Sequence, residues 1–134
     1  MAMSGPARAL VVAPSEALRV LVGDALRGAA SSCGSAVEVT EVADGFLALA
    51  RIGRESFDLV VADADLPVLP ADELIRYLRA RPEQASLPVV VVGADASERE
   101  FRLPGGAALA PSPFTPEALR AALARAGFRF DGDS

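Results

Sequence analysis

Phe57-Asp58-Leu59-Val60-Val61-Ala62-Asp63-Ala64-Asp65-Leu66-Pro67 decides the fold. Within it, Leu59–Ala62 is an unbroken apolar run bounded by Asp58 and Asp63. A strand with one solvated face alternates polar and apolar residues, and this one does not. It reads as a strand buried on both faces, the kind found in parallel sheets covered by helices on each side. Val89–Val92 repeats the pattern and stops at Gly93. Leu66-Pro67-Val68-Leu69-Pro70 is a loop, because two prolines fix φ and remove donors.

Working outward, apolar strands alternate with helical stripes. Ala9–Val12 is a short apolar strand, and Ser15 caps the helix that follows. Leu18, Leu21, Val22, Ala25 and Leu26 form its stripe, and Gly28 with Ser31–Ser35 ends it. Val37 and Val39 alternate with polar neighbours, and Asp44 caps a second helix through Phe46, Leu49 and Ala50. A third helix holds Leu74, Ile75, Tyr77 and Leu78 and ends at Arg81-Pro82. A short fourth spans about 97–103, before Pro104-Gly105-Gly106 and a weak strand at Ala107–Ala110. Thr115 caps and Pro116 opens a last helix with Leu119, Ala122, Leu123 and Ala126 on its buried stripe. Five strands and five helices in alternation predict a single α/β domain with helices on both faces of a parallel sheet. Residues 1–7 are expected to be a disordered N-terminus, 8–126 the domain, and 127–134 a tail whose Phe128 and Phe130 dock on the body.

The 134 residues suit one domain and bury enough surface to hold a core without disulfides. The chain has no His, which excludes Ser-His-Asp, Cys-His and His-metal chemistry. Cys33 is single, so no disulfide framework exists, and a reducing cytoplasm is the expected compartment. Cys33 reads as a loop thiol with no adjacent cation to activate it. No apolar run reaches the roughly 18 residues of a membrane span. Residues 1–6 lack the basic and apolar regions of a signal peptide. Net charge is −5, and all 13 basic residues are scattered Arg, so neither nucleic acid nor membrane is expected as a direct partner.

In a doubly wound sheet, sites collect at the carboxyl ends of the strands. Here those ends are Ala13-Pro14, Asp63-Ala64-Asp65, Gly93-Ala94 and Pro111-Ser112-Pro113. With these ends the chain resembles the response-regulator receiver domain, over about Arg8–Ala126. Residues 57–67 are similar to that family's phosphoacceptor strand, whose last Asp precedes an apolar residue and Pro by three and four positions. Leu10-Val11-Val12, Asp44-Gly45, Leu87-Pro88, Gly105-Gly106 and Pro113-Phe114 fit in order and spacing. The resemblance implies a flavodoxin-like (βα)5 fold with strand order 2-1-3-4-5.

It also implies a phosphoryl transfer. An Asp after the third strand attacks a phosphodonor. Magnesium is held by that Asp and an acidic pair after the first strand, and a Thr or Ser and a Lys contact the transferred group. Such catalysis is almost entirely positioning and charge stabilisation. Asp63 takes the phosphoacceptor position, but the acidic pair falls on Ala13 and Pro14. The hydroxyl position falls on Gly93, the Lys position on Ser112, and the switch aromatic on Leu109. One charge pair at 4 Å is worth roughly 4 kcal/mol at an effective dielectric near 20. An acyl phosphate at Asp63, beside Asp65, would lack most of that compensation. The switch would also lack contacts that differ between its two states.

The expected function is therefore a phosphorylation-independent, receiver-like interaction or scaffold module in bacterial signalling. It is expected to be no enzyme, with no catalytic residue, cofactor or bound metal. Its partner is expected to be a protein of unspecified identity. A homodimer through the last two helices and the fifth strand would be usual for the family. Two alternatives stand beside it. One is a weak phosphoacceptor using Asp63, with Glu16 replacing the lost pair, although a Glu in a first helical turn also simply favours the helix dipole. The other is a small-ligand sensor in the altered cleft between Ala13, Pro14, Gly93 and Ser112. Phe101, Leu103 and Leu109 lie where receivers meet partners; each is either an interface or core residue.

Overall fold

A computed structural model describes residues 5–93, 103–111 and 115–130. Five strands form one parallel sheet in the order β2-β1-β3-β4-β5. They are β1 (Ala7–Val12), β2 (Val37–Val42), β3 (Leu59–Asp63), β4 (Val89–Gly93) and β5 (Ala108–Pro111). Among the described residues there are four helices: α1 (Glu16–Ser32), α2 (Gly45–Ile52), α3 (Ala71–Arg79) and α4 (Pro116–Arg125). The helix expected over 97–103 falls almost wholly outside the described residues, and Leu103 itself is not helical.

The double burial of the central strands follows from their apolar sequence. Along β1, Leu10 and Val12 join Val60, Ala62, Val89 and Val91 on one face, under Ala48 and Ile52 of α2 and Leu74, Ile75 and Leu78 of α3. Ala9 and Val11 join Leu59, Val61, Val90 and Val92 on the other, under Val22, Leu26 and Ala29 of α1 and Leu119, Ala122 and Leu123 of α4. Successive side chains point to opposite faces, so only apolar residues fit a strand covered twice. The edge strand β2 is mostly half-buried or exposed, which accounts for its polar alternation.

Helix starts agree with the capping residues. Ser15 Oγ accepts from Leu18 N, Asp44 Oδ1 from Leu47 N, and Thr115 Oγ1 from Ala118 N. The end of α1 falls within the Ser31–Ser35 stretch expected to close it, but Gly28 plays a different part. Gly28 does not stop the helix, which continues to Ser32. A Cβ at Gly28 would stand 3.1 Å from Pro116 Cγ, so this glycine lets α4 approach α1. Leu21 is 58% exposed and lies off the buried stripe, which runs through Val22, Ala25, Leu26, Ala29 and Ala30. Phe46 and Tyr77 are likewise more than half exposed.

One further reading changes, and the expected docking of the tail is seen. Cys33 does have a cation beside it: Arg120 Nη1 lies 3.6 Å from its Sγ and 3.0 Å from Ser32 Oγ. The tail residue Phe130 is 3% exposed and packs into the α1–α4 face, with its ring edge-on to Phe128 at 5.0 Å.

Candidate functional site

The carboxyl ends of β1, β3 and β4 meet at one rim of the sheet. Register fixes the neighbours: Val12 pairs with Ala62, and Asp63 with Val92. Asp63 thus ends β3, with Ala13 just past the end of β1 on one side and, on the other, Gly93 one step beyond its partner Val92 and against Ala64. Its side chain is half-buried. Oδ1 accepts a 2.9 Å hydrogen bond from Asp65 N, so the acid turns the chain as well as ending the strand. Asp65 is exposed.

Ala13 is buried at 1% exposure, and Pro14 is exposed. Neither provides a side-chain oxygen. The Ala13 and Pro14 carbonyls instead accept from Arg19 Nη1 at 2.7 and 3.3 Å. Arg19 also pairs with Glu41 of β2 at 3.2 Å. A guanidinium therefore braces the β1–α1 corner where the resemblance implies an acidic pair. Its role was not read from the sequence. The available signal was a cation in the first turn of α1, where the helix dipole disfavours positive charge.

Gly93 shapes the neighbouring strand end. Its φ is +156°, and a Cβ there would lie 2.9 Å from Ala64 Cβ. Ala64 N donates to Val92 O at 2.7 Å, which pins that methyl against β4. The position lacks a hydroxyl and also lacks the space for the side chain that would carry one. Leu109 of β5 pairs with Val91 and is 3% exposed, within the face covered by α2 and α3. Leu103 is partly buried against the same cluster. Both pack inward as core. Ser112 and Phe101 lie outside the described residues.

These residues do not fit a magnesium ion. The metal favours several oxygen ligands in octahedral geometry. The β1 end supplies no carboxylate, and among the described residues no three His, Cys, Asp or Glu side chains gather as a metal-binding group. Among those residues, too, no helix is long and apolar enough to cross a membrane.

No protein-family model matches the chain. It is 34% identical over 123 residues to the transcriptional regulatory protein CutR of Streptomyces coelicolor, covering 91% of this chain and 54% of CutR. The chain spans only 7–13% of the length of larger sensor and regulatory proteins that it also matches. Among solved structures, the chemotaxis response regulator CheY4 of Vibrio cholerae superposes with a TM-score of 0.72 at 25% identity, covering 90% of this chain and 98% of CheY4. The receiver domain of the sensor histidine kinase PA1611 from Pseudomonas aeruginosa, solved with magnesium in its active site cleft, gives 0.73 at 27% identity, covering 91% and 97%. With the strand order 2-1-3-4-5 and an acid closing β3, the chain has the fold of response-regulator receiver domains, and its curated and structural likenesses are to proteins that carry them.

Proposed function

We propose that this receiver-like domain works in bacterial signalling as a protein-interaction module that does not depend on aspartyl phosphorylation. The observation that supports this reading is the state of the strand ends around Asp63. Ala13 and Pro14 bring no carboxylate, and the backbone of Gly93 is packed against Ala64 where a hydroxyl-bearing side chain would stand. A phosphoryl group on Asp63 would therefore meet little countercharge and no switch hydroxyl. Binding surfaces on a preserved, fully packed fold remain the means by which the domain acts.

The test is incubation of the protein with acetyl phosphate and magnesium, followed by intact mass and by the rate of donor hydrolysis. The expected result is no phosphoryl adduct and no acceleration of hydrolysis. An adduct that disappears in Asp63→Asn would establish the second reading, a weakly tuned phosphoacceptor. That reading draws on the half-buried, reachable position of Asp63 at the rim of the sheet.

A further inference from the structure

A groove of about 540 Å³ runs between the carboxyl end of β2 and α2, on the same rim of the sheet as Asp63 but lined by none of the β3 or β4 residues. Its apolar lining is Val42, Ala43, Leu47 and Ala50, and its charged lining is Arg19, Arg51 and Arg54 with the acid Glu41. Three guanidinium groups on one groove stand out in a chain of net charge −5. Arg19 and Arg51 are each tied to one acid, Glu41 at 3.2 Å and Glu55 at 2.6 Å. Arg54 is exposed, and among the described residues its side chain has no ion pair. Two of the three arginines are thus offset within the chain, and Arg54 is the one whose charge is left for an external anion.

Exposed apolar residues stand on the groove and on the elements around it. Leu47 is 49% exposed, and Phe46 beside it is also open to solvent. At the N-terminus of α2, Gly45 abuts Leu69, so the loop after β3 reaches this end of the helix. In that loop Val68 is 78% exposed and held at φ +67°. A β-branched residue in the left-handed region is strained, and strain of this kind clusters at functional surfaces.

We propose that this groove binds an acidic, amphipathic segment of a partner protein, with a carboxylate on Arg54 and its apolar residues on Leu47, Phe46 and Val68. The inference rests on the interaction-module reading and names its surface. Guanidinium forks suit carboxylates bidentately, and the apolar lining selects a peptide over a bare anion.

The probe is a labelled synthetic helical peptide with Glu on one face and Leu on the other, titrated into the whole chain by anisotropy and by amide NMR shifts. A Lys-for-Glu counterpart and inorganic phosphate serve as controls. The acidic peptide should bind in a salt-dependent manner and shift amides at 42–54 and 68. Arg54→Glu and Leu47→Glu should each weaken it by about tenfold, with melting temperatures unchanged. Equal binding of the Lys counterpart, shifts elsewhere, or full affinity in both variants overturns the proposal. So does saturation of the groove by phosphate alone, or self-association that Arg54→Glu abolishes. A phosphoryl adduct on Asp63 with peptide binding intact removes the phosphorylation-independent reading and leaves the groove standing. Absence of both adduct and peptide binding removes the groove alone.

Discussion

Gly93 and Ala64 meet across the ends of β4 and β3 so closely that a Cβ on the glycine would lie 2.9 Å from the alanine methyl. Real Cβ contacts are not that short, and Ala64 is held by its 2.7 Å hydrogen bond to Val92 O. Restoring a hydroxyl is thus a packing problem before it is a chemical one. Gly93→Thr should destabilise the domain by about 1–3 kcal/mol in urea unfolding, the usual cost of overpacking a filled site. Adding Ala64→Gly should recover part of that loss, because the clash is with one methyl. A Gly93→Thr protein as stable as the parent would show that the strand ends are looser than described.

Glu55 predicts an acid limit on stability. Hydrogen bonds from Arg51 first and then Arg8 hold its carboxyl below its ordinary value of 4.5. The folded state therefore favours the charged form. The stabilisation is fully present above pH 4.5 and is lost as pH falls through the lower, folded value. Melting temperature followed from neutral pH to below that window should drop less steeply for Glu55→Gln than for the parent. Identical profiles would mean that the pair with Arg51, at 2.6 Å, does not persist in solution. The group is solvent-accessible, so added salt should flatten the difference.

The tail belongs to the structure. Phe130 is 3% exposed among α1, α4 and sheet residues, and its ring meets Phe128 edge-on. Phe130→Ala should cost about 3 kcal/mol, the low end for a buried aromatic because a terminal site can partly collapse. Truncation after Ala126 should cost at least as much. Chemical denaturation reads both, and an unchanged midpoint on truncation would place the two rings outside the cooperative core.

The legible parts of the fold were those set by local sequence. Val60 and Val91 announce doubly buried strands because no polar residue interrupts their runs, and Ser15, Asp44 and Thr115 announce helix starts through their own side-chain oxygens. Gly28 was misread because its reason is Pro116, 88 residues away, and a glycine that admits a second helix looks in sequence like one that ends the first. Leu21 fits the stripe by spacing, yet it faces solvent because α1 is covered only along one edge. At the rim, the missing carboxylates at Ala13 and Pro14 were plain from residue types. The Gly93–Ala64 contact, the Arg19 brace and the Arg120–Cys33 approach all join separate elements, and no periodicity reports them.

Val68 offers the sharpest separation of stability from binding. Its φ of +67° puts a β-branched side chain in a region where even an unbranched L-residue costs about 1–2 kcal/mol, and its 78% exposure means that almost no packing offsets the strain. Asparagine tolerates that conformation without the added unfolded-state freedom of glycine. Val68→Asn should therefore raise stability by about 1 kcal/mol, seen as a higher urea midpoint with an unchanged slope. The same substitution removes an apolar contact from the surface beside α2, so the acidic peptide should bind it more weakly. A variant that gains neither stability nor loses affinity would mean that the loop relaxes freely in solution, and the strained valine would then have no part in either property.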